Sequence, residues 1–280
     1  MNVFLTGGTG FIGSYLIPDL LTRDHSVFAH TSRIIDTGDH PFCNPTWVNC
    51  SLDNLESLDF SKIDVVVNLM SAGVSPRTCS WEQLAYVNIS SSLKLLELAH
   101  TAGVRRFVSI GTCLEYGSEA ERWHRVPSHA PLKPQTPYAS SKAAAFHMMM
   151  SYANTTEIEF VHARLFNVYG YGQYKKNLWP SLFEAAKAGI DFKIKNGDHI
   201  RDFIHASDVA AHLSYAIERQ DVLASKPLVI NVGTGCGRKV QDFAKDQWET
   251  FGSRGKLVFQ EDESDRGSIT RVVADISNLY

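Results

Sequence analysis

Met1-Asn2-Val3-Phe4-Leu5-Thr6-Gly7-Gly8-Thr9-Gly10-Phe11-Ile12-Gly13 is the stretch that decides the fold. Val3 to Leu5 form a short apolar run that stops at glycine, and Phe11 to Leu21 continue with helical spacing. Gly7 permits a tight turn, and Gly10 removes a side chain where backbone has to approach a pyrophosphate. Gly13 lets helix and strand pack closely, while Phe11 and Ile12 open a helix whose N-terminal N–H groups face the phosphates. Three glycines alone would be an ordinary strand-to-helix turn. Their place between a first strand and a first helix points to a dinucleotide.

The alternation continues outward. Val27 to Ala29 give a second strand, Trp47-Val48 a short third, and Asp64 to Leu69 a continuous apolar strand. A long helix follows from Trp81 to Ala102, then a strand from Arg106 to Ile110, a helix from Ser140 to Tyr152 and a strand from Glu159 to Arg164. Apolar strands alternating with helices predict an α/β fold, a Rossmann-type doubly wound parallel sheet covered on both faces. Beyond Asn167 the pattern loosens. Helices over Trp179–Ala188, Ser207–Glu218 and Val240–Phe251 mix with short strands at Phe192–Ile194, Leu228–Val232, Leu257–Phe259 and Arg271–Val273. The expected division is a dinucleotide-binding domain over residues 1–166 and a smaller C-terminal lobe over 167–280, mainly substrate-binding, with segments returning to the main sheet. The stretch from Gly117 to Pro137 reads as a long loop, restrained by Pro127, Pro131, Pro134 and Pro137, and such loops are often functional.

Composition sets limits. The 280 residues are 44% hydrophobic, enough for a sizeable core. A net charge of -3 gives no basic field for nucleic acid or an anionic membrane, so an anionic substrate needs local cations. Five cysteines, odd in number and without a CxxC pair, argue against a disulfide framework and for a reducing cytoplasm. The N-terminus lacks a basic leader, and no apolar run reaches the ~20 residues needed to span a bilayer. A soluble, cytoplasmic chain is expected. Eleven histidines without HExxH or similar spacing predict no metal site.

Two further phrases carry chemistry. The second strand ends in His30-Thr31-Ser32-Arg33 with no acid until Asp36, whereas an NAD site usually places a carboxylate there for the ribose hydroxyls. Hydroxyls and the guanidinium of Arg33 suit a ribose phosphate instead, so NADP(H) is expected, with NAD possible; Arg33 as a solvated loop residue is the competing reading. Tyr138-Ala139-Ser140-Ser141-Lys142 follows Pro137 and opens a helix, and its i, i+4 spacing puts phenol and ammonium on one face. A free tyrosine titrates near ~10. A neighbouring ammonium would favour the phenolate and make it a usable acid–base group.

These phrases join others in order: Asn68-Leu69-Met70-Ser71-Ala72-Gly73, Thr112-Cys113-Leu114-Glu115-Tyr116-Gly117, Arg164-Leu165-Phe166-Asn167-Val168-Tyr169-Gly170 and Arg201-Asp202-Phe203-Ile204-His205. Over nearly its whole length the chain resembles the extended short-chain dehydrogenases/reductases of the nucleotide-sugar epimerase/dehydratase family. The resemblance implies Thr112, Tyr138 and Lys142 as the catalytic set. Thr112 would donate to the reacting sugar oxygen, Tyr138 would exchange the proton, and Lys142 would hold the nicotinamide ribose. Leu69, Ser71 and Ala72 would line the cofactor. Asn167 would reach the substrate's diphosphate, with Arg201 and Arg266 as the local cations. Asn88 matches an asparagine that helps shape the site, and reads equally as a helix residue bonding backbone. Homodimers formed through helices around Leu84–Leu98 and Ala143–Tyr152 are a further implication.

Departures narrow the reaction. Sugar 4,6-dehydratases carry an Asp-Glu pair just after the threonine, where this chain has Cys113 and Leu114. Fucose-synthase-type epimerase-reductases use a cysteine at the position of Leu114; Cys113 is adjacent and would point elsewhere on an alternating strand. The second-half phrases resemble the abequose- and paratose-synthase type, which implies NADPH-dependent reduction of a nucleotide-linked 4-keto-6-deoxy (or dideoxy) hexose. A 4-epimerase with tightly bound NAD is the alternative, and an NADP-sensing regulator without catalysis a third.

Overall fold

In the computed structural model, which describes residues 1–32, 45–74, 76–260 and 269–279, β1 (Asn2–Thr6) runs into the glycine turn and α1 (Gly13–Thr22). The unit repeats as β2 (Ser26–Thr31), β3 (Thr46–Asn49), β4 (Val65–Asn68), α2 (Trp81–Leu84), α3 (Ser91–Thr101), β5 (Arg106–Thr112), α4 (Pro137–Asn154) and β6 (Glu159–Leu165). There follow β7 (Asn167–Tyr169), α5 (Leu178–Ala188), β8 (Phe192–Lys195), β9 (Ile200–His205), α6 (Ala206–Glu218) and β10 (Leu228–Val232). The chain closes with β11 (Gly237–Lys239), α7 (Val240–Thr250), β12 (Leu257–Gln260) and β13 (Arg271–Val272).

Seven strands form the main sheet in the order β10-β6-β5-β4-β1-β2-β3, every pairing parallel. This is the expected Rossmann-type α/β sheet, and β10 returns to it from far along the chain. Alternation along β1 explains the two layers. Val3 and Leu5 pack with Leu16 and Leu20 of α1 and with Val209 and Leu213 of α6. Phe4 points the other way, toward Leu95 and Leu96 of α3 and Met149 of α4. Fully burying a leucine or phenylalanine is worth about 1.5–3 kcal/mol, so these layers, rather than any one polar contact, hold the sheet. The strand order reverses between β1 and β4, the place where doubly wound sheets open a crevice for ligands.

Beyond the main sheet, β9 pairs with β7, β11 and β13, and β8 pairs with β12. β7, β9 and β11 are absent from the hydrophobic pattern, for a physical reason. In β9, Arg201-Asp202 interrupts the apolar run, yet Asp202 is fully buried because four donors satisfy it. These are Thr234 N–H at 2.8 Å, the Thr234 hydroxyl at 2.6 Å, Gly235 N–H at 2.9 Å and Ala274 N–H at 3.1 Å. The predicted long helix over Trp81–Ala102 is also not uniform, since Ala85–Ser90 between α2 and α3 winds as a π-helix. The stretch after Gly117 is not wholly loop either: Ser118–Arg122 makes a 3-10 turn, and Val126 bridges Ala274.

Candidate active site

The crevice begins at the glycine turn. Gly7 sits at φ +66°, a conformation that favours glycine, and its carbonyl accepts from Gly10 N–H at 2.8 Å. A Cβ on Gly13 would lie 2.6 Å from the carbonyl oxygens of both Gly7 and Gly8, so only glycine lets α1 start this close to the strand. Thr9 and Gly10 are exposed, and Phe11 and Ile12 are half-buried beside them. Across the crevice, Thr6 ties the strand ends together: its hydroxyl donates to Asn68 Oδ1 at 2.9 Å and accepts from Leu69 N–H at 3.0 Å. Leu69, just after β4, lies against the turn: a Cβ on Gly7 would be 3.3 Å from Leu69 Cβ. We expect Gly13→Ala to weaken dinucleotide affinity more than tenfold and to lower the melting temperature by several degrees, because the methyl must push helix from turn. Equilibrium titration and a thermal melt check it; unchanged affinity would contradict the cradle.

Asn88 does more than cap its own helix. Carried on the π-helical segment, where such bulges often serve function, it accepts from Ala72 N–H at 2.8 Å and donates to Ala72 O at 3.1 Å. Its amide also donates to Ser141 Oγ at 2.8 Å, and Ser141 donates to Tyr138 O at 2.8 Å. One buried amide thus clamps the turn after β4 to the helix that bears Tyr138 and Lys142.

That helix, α4, starts three residues earlier than the sequence pattern suggested. Thr136 is its N-cap, with Oγ1 accepting from Ala139 N–H at 3.2 Å, and Pro137 takes the first helical position. Tyr138, Lys142 and Phe146 then follow at i, i+4 and i+8. Tyr138 is half-buried, and Lys142 is buried. Thr112 ends β5 in extended conformation and caps the 3-10 turn Cys113–Glu115. Strand end and helix start are brought together, and Ser71 from β4 reaches the Tyr138 hydroxyl.

Electrostatics differs from the sequence reading. Burial pushes the Tyr138 phenol up to about 12; the Ser71 hydrogen bond opposes this, and the negative charge of Glu115 adds to it. Burial pulls Lys142 down to about 8, against the upward pull of Glu115. Burial is the largest influence on both groups, and it favours the neutral form of each.

The source of that negative charge was not assigned a role from sequence. Glu115 is fully buried. It accepts from Thr112 N–H at 2.8 Å, from Arg164 Nε at 2.7 Å and from His162 Nε2 at 3.2 Å. Burial alone would raise it; His162 and Arg164 more than offset this and hold it at about 2. Arg164 also donates to Tyr116 OH at 3.0 Å and Ser128 O at 2.8 Å, and Tyr116 donates to Asn231 Oδ1 at 2.6 Å. The register that pairs Gly111 with Arg164 and Ser109 with His162 puts both partners on one face of β6. No single phrase of sequence carries that signal.

Cys113 lies in the 3-10 turn rather than on an alternating strand. It is buried with Tyr116, Val126 and Phe166, and burial raises its thiol to about 12. Leu114 is half-buried and apolar. Asn167, on β7, keeps Oδ1 buried and, among the described residues, without a hydrogen-bond partner. Arg201 is otherwise engaged, donating to Ile269 O at 2.7 Å, Ile200 O at 3.0 Å and Thr270 O at 3.3 Å. Arg33 and Arg266 lie outside the described residues. Among the described residues no helix is long and apolar enough to cross a membrane.

Known proteins resemble this chain over most of its length. A low-salt glycan biosynthesis protein of Haloferax volcanii is 26% identical over 94% of this chain and 87% of its own. The CDP-abequose synthase of Salmonella typhimurium is 28% identical, covering 99% and 90% respectively. The solved structure of MoeE5 in complex with UDP-glucuronic acid and NAD superposes with a TM-score of 0.84 at 25% identity, covering 100% of this chain and 91% of that one. Residues 3–233, most of the chain, match the NAD dependent epimerase/dehydratase family, and the chain belongs to that family.

Proposed function

We propose that the chain reduces the C4 ketone of a nucleotide-linked 4-keto-6-deoxyhexose or dideoxyhexose with NADPH, giving an activated deoxysugar for surface polysaccharide. The carrying observation is the turn that follows Thr112, which among the described residues offers no free carboxylate to eliminate water: Cys113 is a buried thiol, Leu114 is apolar, and Glu115 is locked by Arg164 and His162. The likeness to a CDP-abequose synthase over almost the full length of both chains supports the same reading.

A dinucleotide fits the residues present, because the space a Cβ would fill at Gly13 and the exposed Thr9-Gly10 backbone form its phosphate cradle. When bound, NADPH supplies the hydride that C4 accepts. Tyr138 gives its hydroxyl proton to the ketone oxygen, and Thr112 donates a hydrogen bond to that oxygen. The ketone gains hydride and proton and leaves as an alcohol; the dinucleotide leaves oxidised. Lys142 holds the nicotinamide ribose, and Leu69, Ser71 and Ala72 line the cofactor. Arg33 serves the ribose phosphate. Residues 167–280 hold the nucleotide sugar, with Asn167 and Arg266 at its diphosphate. Arg201, whose guanidinium also donates to Ile269 O and Thr270 O, is the second cation for the substrate.

Purified protein given NADPH and a nucleotide-linked 4-keto-6-deoxyhexose is expected to oxidise one NADPH per sugar reduced, followed by nicotinamide absorbance and product analysis. Interconversion of C4 epimers without net NADPH oxidation would replace this reading with that of a 4-epimerase.

A further inference from the structure

Beneath the catalytic face of α4 lies a buried charged cluster to which the reaction assigns no step. Tyr138, Lys142 and Phe146 form one stripe of that helix, and Phe146 rests on the cluster. Its ring centroid is 4.6 Å from that of His162, and the Arg164 guanidinium sits 4.5 Å over it. Glu115, His162 and Arg164 are each 1% exposed or less. The space they occupy exists only because residue 111 is glycine: a Cβ there would sit 2.3 Å from His162 Nε2 and 2.5 Å from Glu115 Oε1. A buried carboxylate with this much built around it is expensive to keep. Its other oxygen shows where it acts, since Oε1 accepts the backbone N–H of Thr112.

We infer that Glu115, carried by Arg164 and His162, is the positioning residue of this site: it aims the Thr112 hydroxyl at the substrate and supplies the negative charge against which Lys142 and Tyr138 work. The first half follows from hydrogen-bond geometry, and the second from the buried charge of Glu115, which favours the ammonium of Lys142. Glu115 and Thr112 form a reciprocal cap, in which Thr112 N–H donates to the carboxylate while Thr112 Oγ1 accepts from Leu114 N–H at 3.3 Å. That bond fixes the rotation of the Thr112 side chain while leaving the hydroxyl able to donate to a substrate oxygen. The groups facing Tyr138 and Lys142 are Ser71 from the turn after β4, Cys113 and Glu115 from the turn after β5, and His162 and Arg164 from β6. Cys113 stays a thiol and burial holds His162 below its ordinary range, so Glu115 is the acidic charge that opposes the loss of a proton from Lys142.

The inference rests on the Thr112, Tyr138 and Lys142 assignment, not on which nucleotide-sugar conversion they serve. It is therefore tested with whichever conversion the wild type performs; a wild type without ketone reduction would sink the proposed function and leave this one standing. Glu115→Gln keeps the reach and loses the charge. Lys142 then deprotonates more easily, and the alkaline limb of the kcat profile is expected to move down by roughly one pH unit. Glu115→Asp keeps the charge and shortens the reach, so the limb should stay while kcat falls about tenfold with KM within about threefold, as Thr112 loosens. A merely structural residue would lower the melting temperature in both variants without moving the limb. An unmoved limb in Glu115→Gln, or full kcat in Glu115→Asp, overturns the assignment; so does a failure of both variants to fold, which would leave Glu115 a core residue and nothing more.

Discussion

Tyr138→Phe is expected to lower kcat by about 10³-fold while cofactor affinity stays within about threefold of wild type. The substitution removes one hydroxyl and keeps the ring, so the packing of α4 is undisturbed. Ser71 loses a partner but is exposed, and water replaces the bond at little cost. On the proposed reading the glycine turn and Lys142 hold the dinucleotide, and the substitution leaves them and the Asn88 clamp untouched. Proton donation to the ketone has no other donor of matched position, because Thr112 keeps its proton for a hydrogen bond. Single-turnover rates with a fluorescence titration of the cofactor separate the two quantities; turnover within about tenfold of wild type would remove Tyr138 from its role. The same charges fix a pH dependence. Lys142 sits at about 8 and must stay protonated, so activity is expected to fall as pH rises through that value. Tyr138, at about 12, contributes no loss in that window.

Local chemistry was legible in the sequence. The strand, three glycines and the YxxxK phrase each put their meaning within a few residues. What could not be read is whatever depends on register between distant strands. Glu115 meets His162 and Arg164 across 47 and 49 residues of chain, and their meeting requires the β5–β6 pairing and the absence of a side chain at Gly111. Asn88 had two readings until the fold brought Ala72 and Ser141 to it. Nor does sequence say that the Arg201 guanidinium donates to three carbonyl oxygens. The Tyr138–Lys142 pair shows the same limit in energetic form: spacing gives the neighbour, but only burial gives the sign of the shift.

Arg164→Leu is expected to destabilise the fold by about 3–5 kcal/mol at neutral pH, because it leaves a carboxylate buried without its permanent counter-charge. Leucine supplies hydrophobic volume against Phe146 but none of the donors that Glu115, Tyr116 and Ser128 require. For a chain of this size that is a fall of about ten degrees in melting temperature. In the wild type Glu115 holds its proton less tightly folded, at about 2, than unfolded, at about 4.3. Its share of stability is therefore complete above the ordinary carboxylate range and drains away as pH falls toward 2. In the variant the buried carboxyl gains by taking a proton. The gap between the two melting curves should accordingly narrow from pH 7 toward pH 4, and a gap that is small or independent of pH would contradict the ion pair. Replacing both members, Glu115→Leu with Arg164→Leu, removes the stranded charge and should recover much of the lost stability. It should not recover turnover, because Thr112 N–H has then lost the acceptor that aims its hydroxyl. Stability regained without activity is the result that separates a charge kept for the fold from one kept for the chemistry.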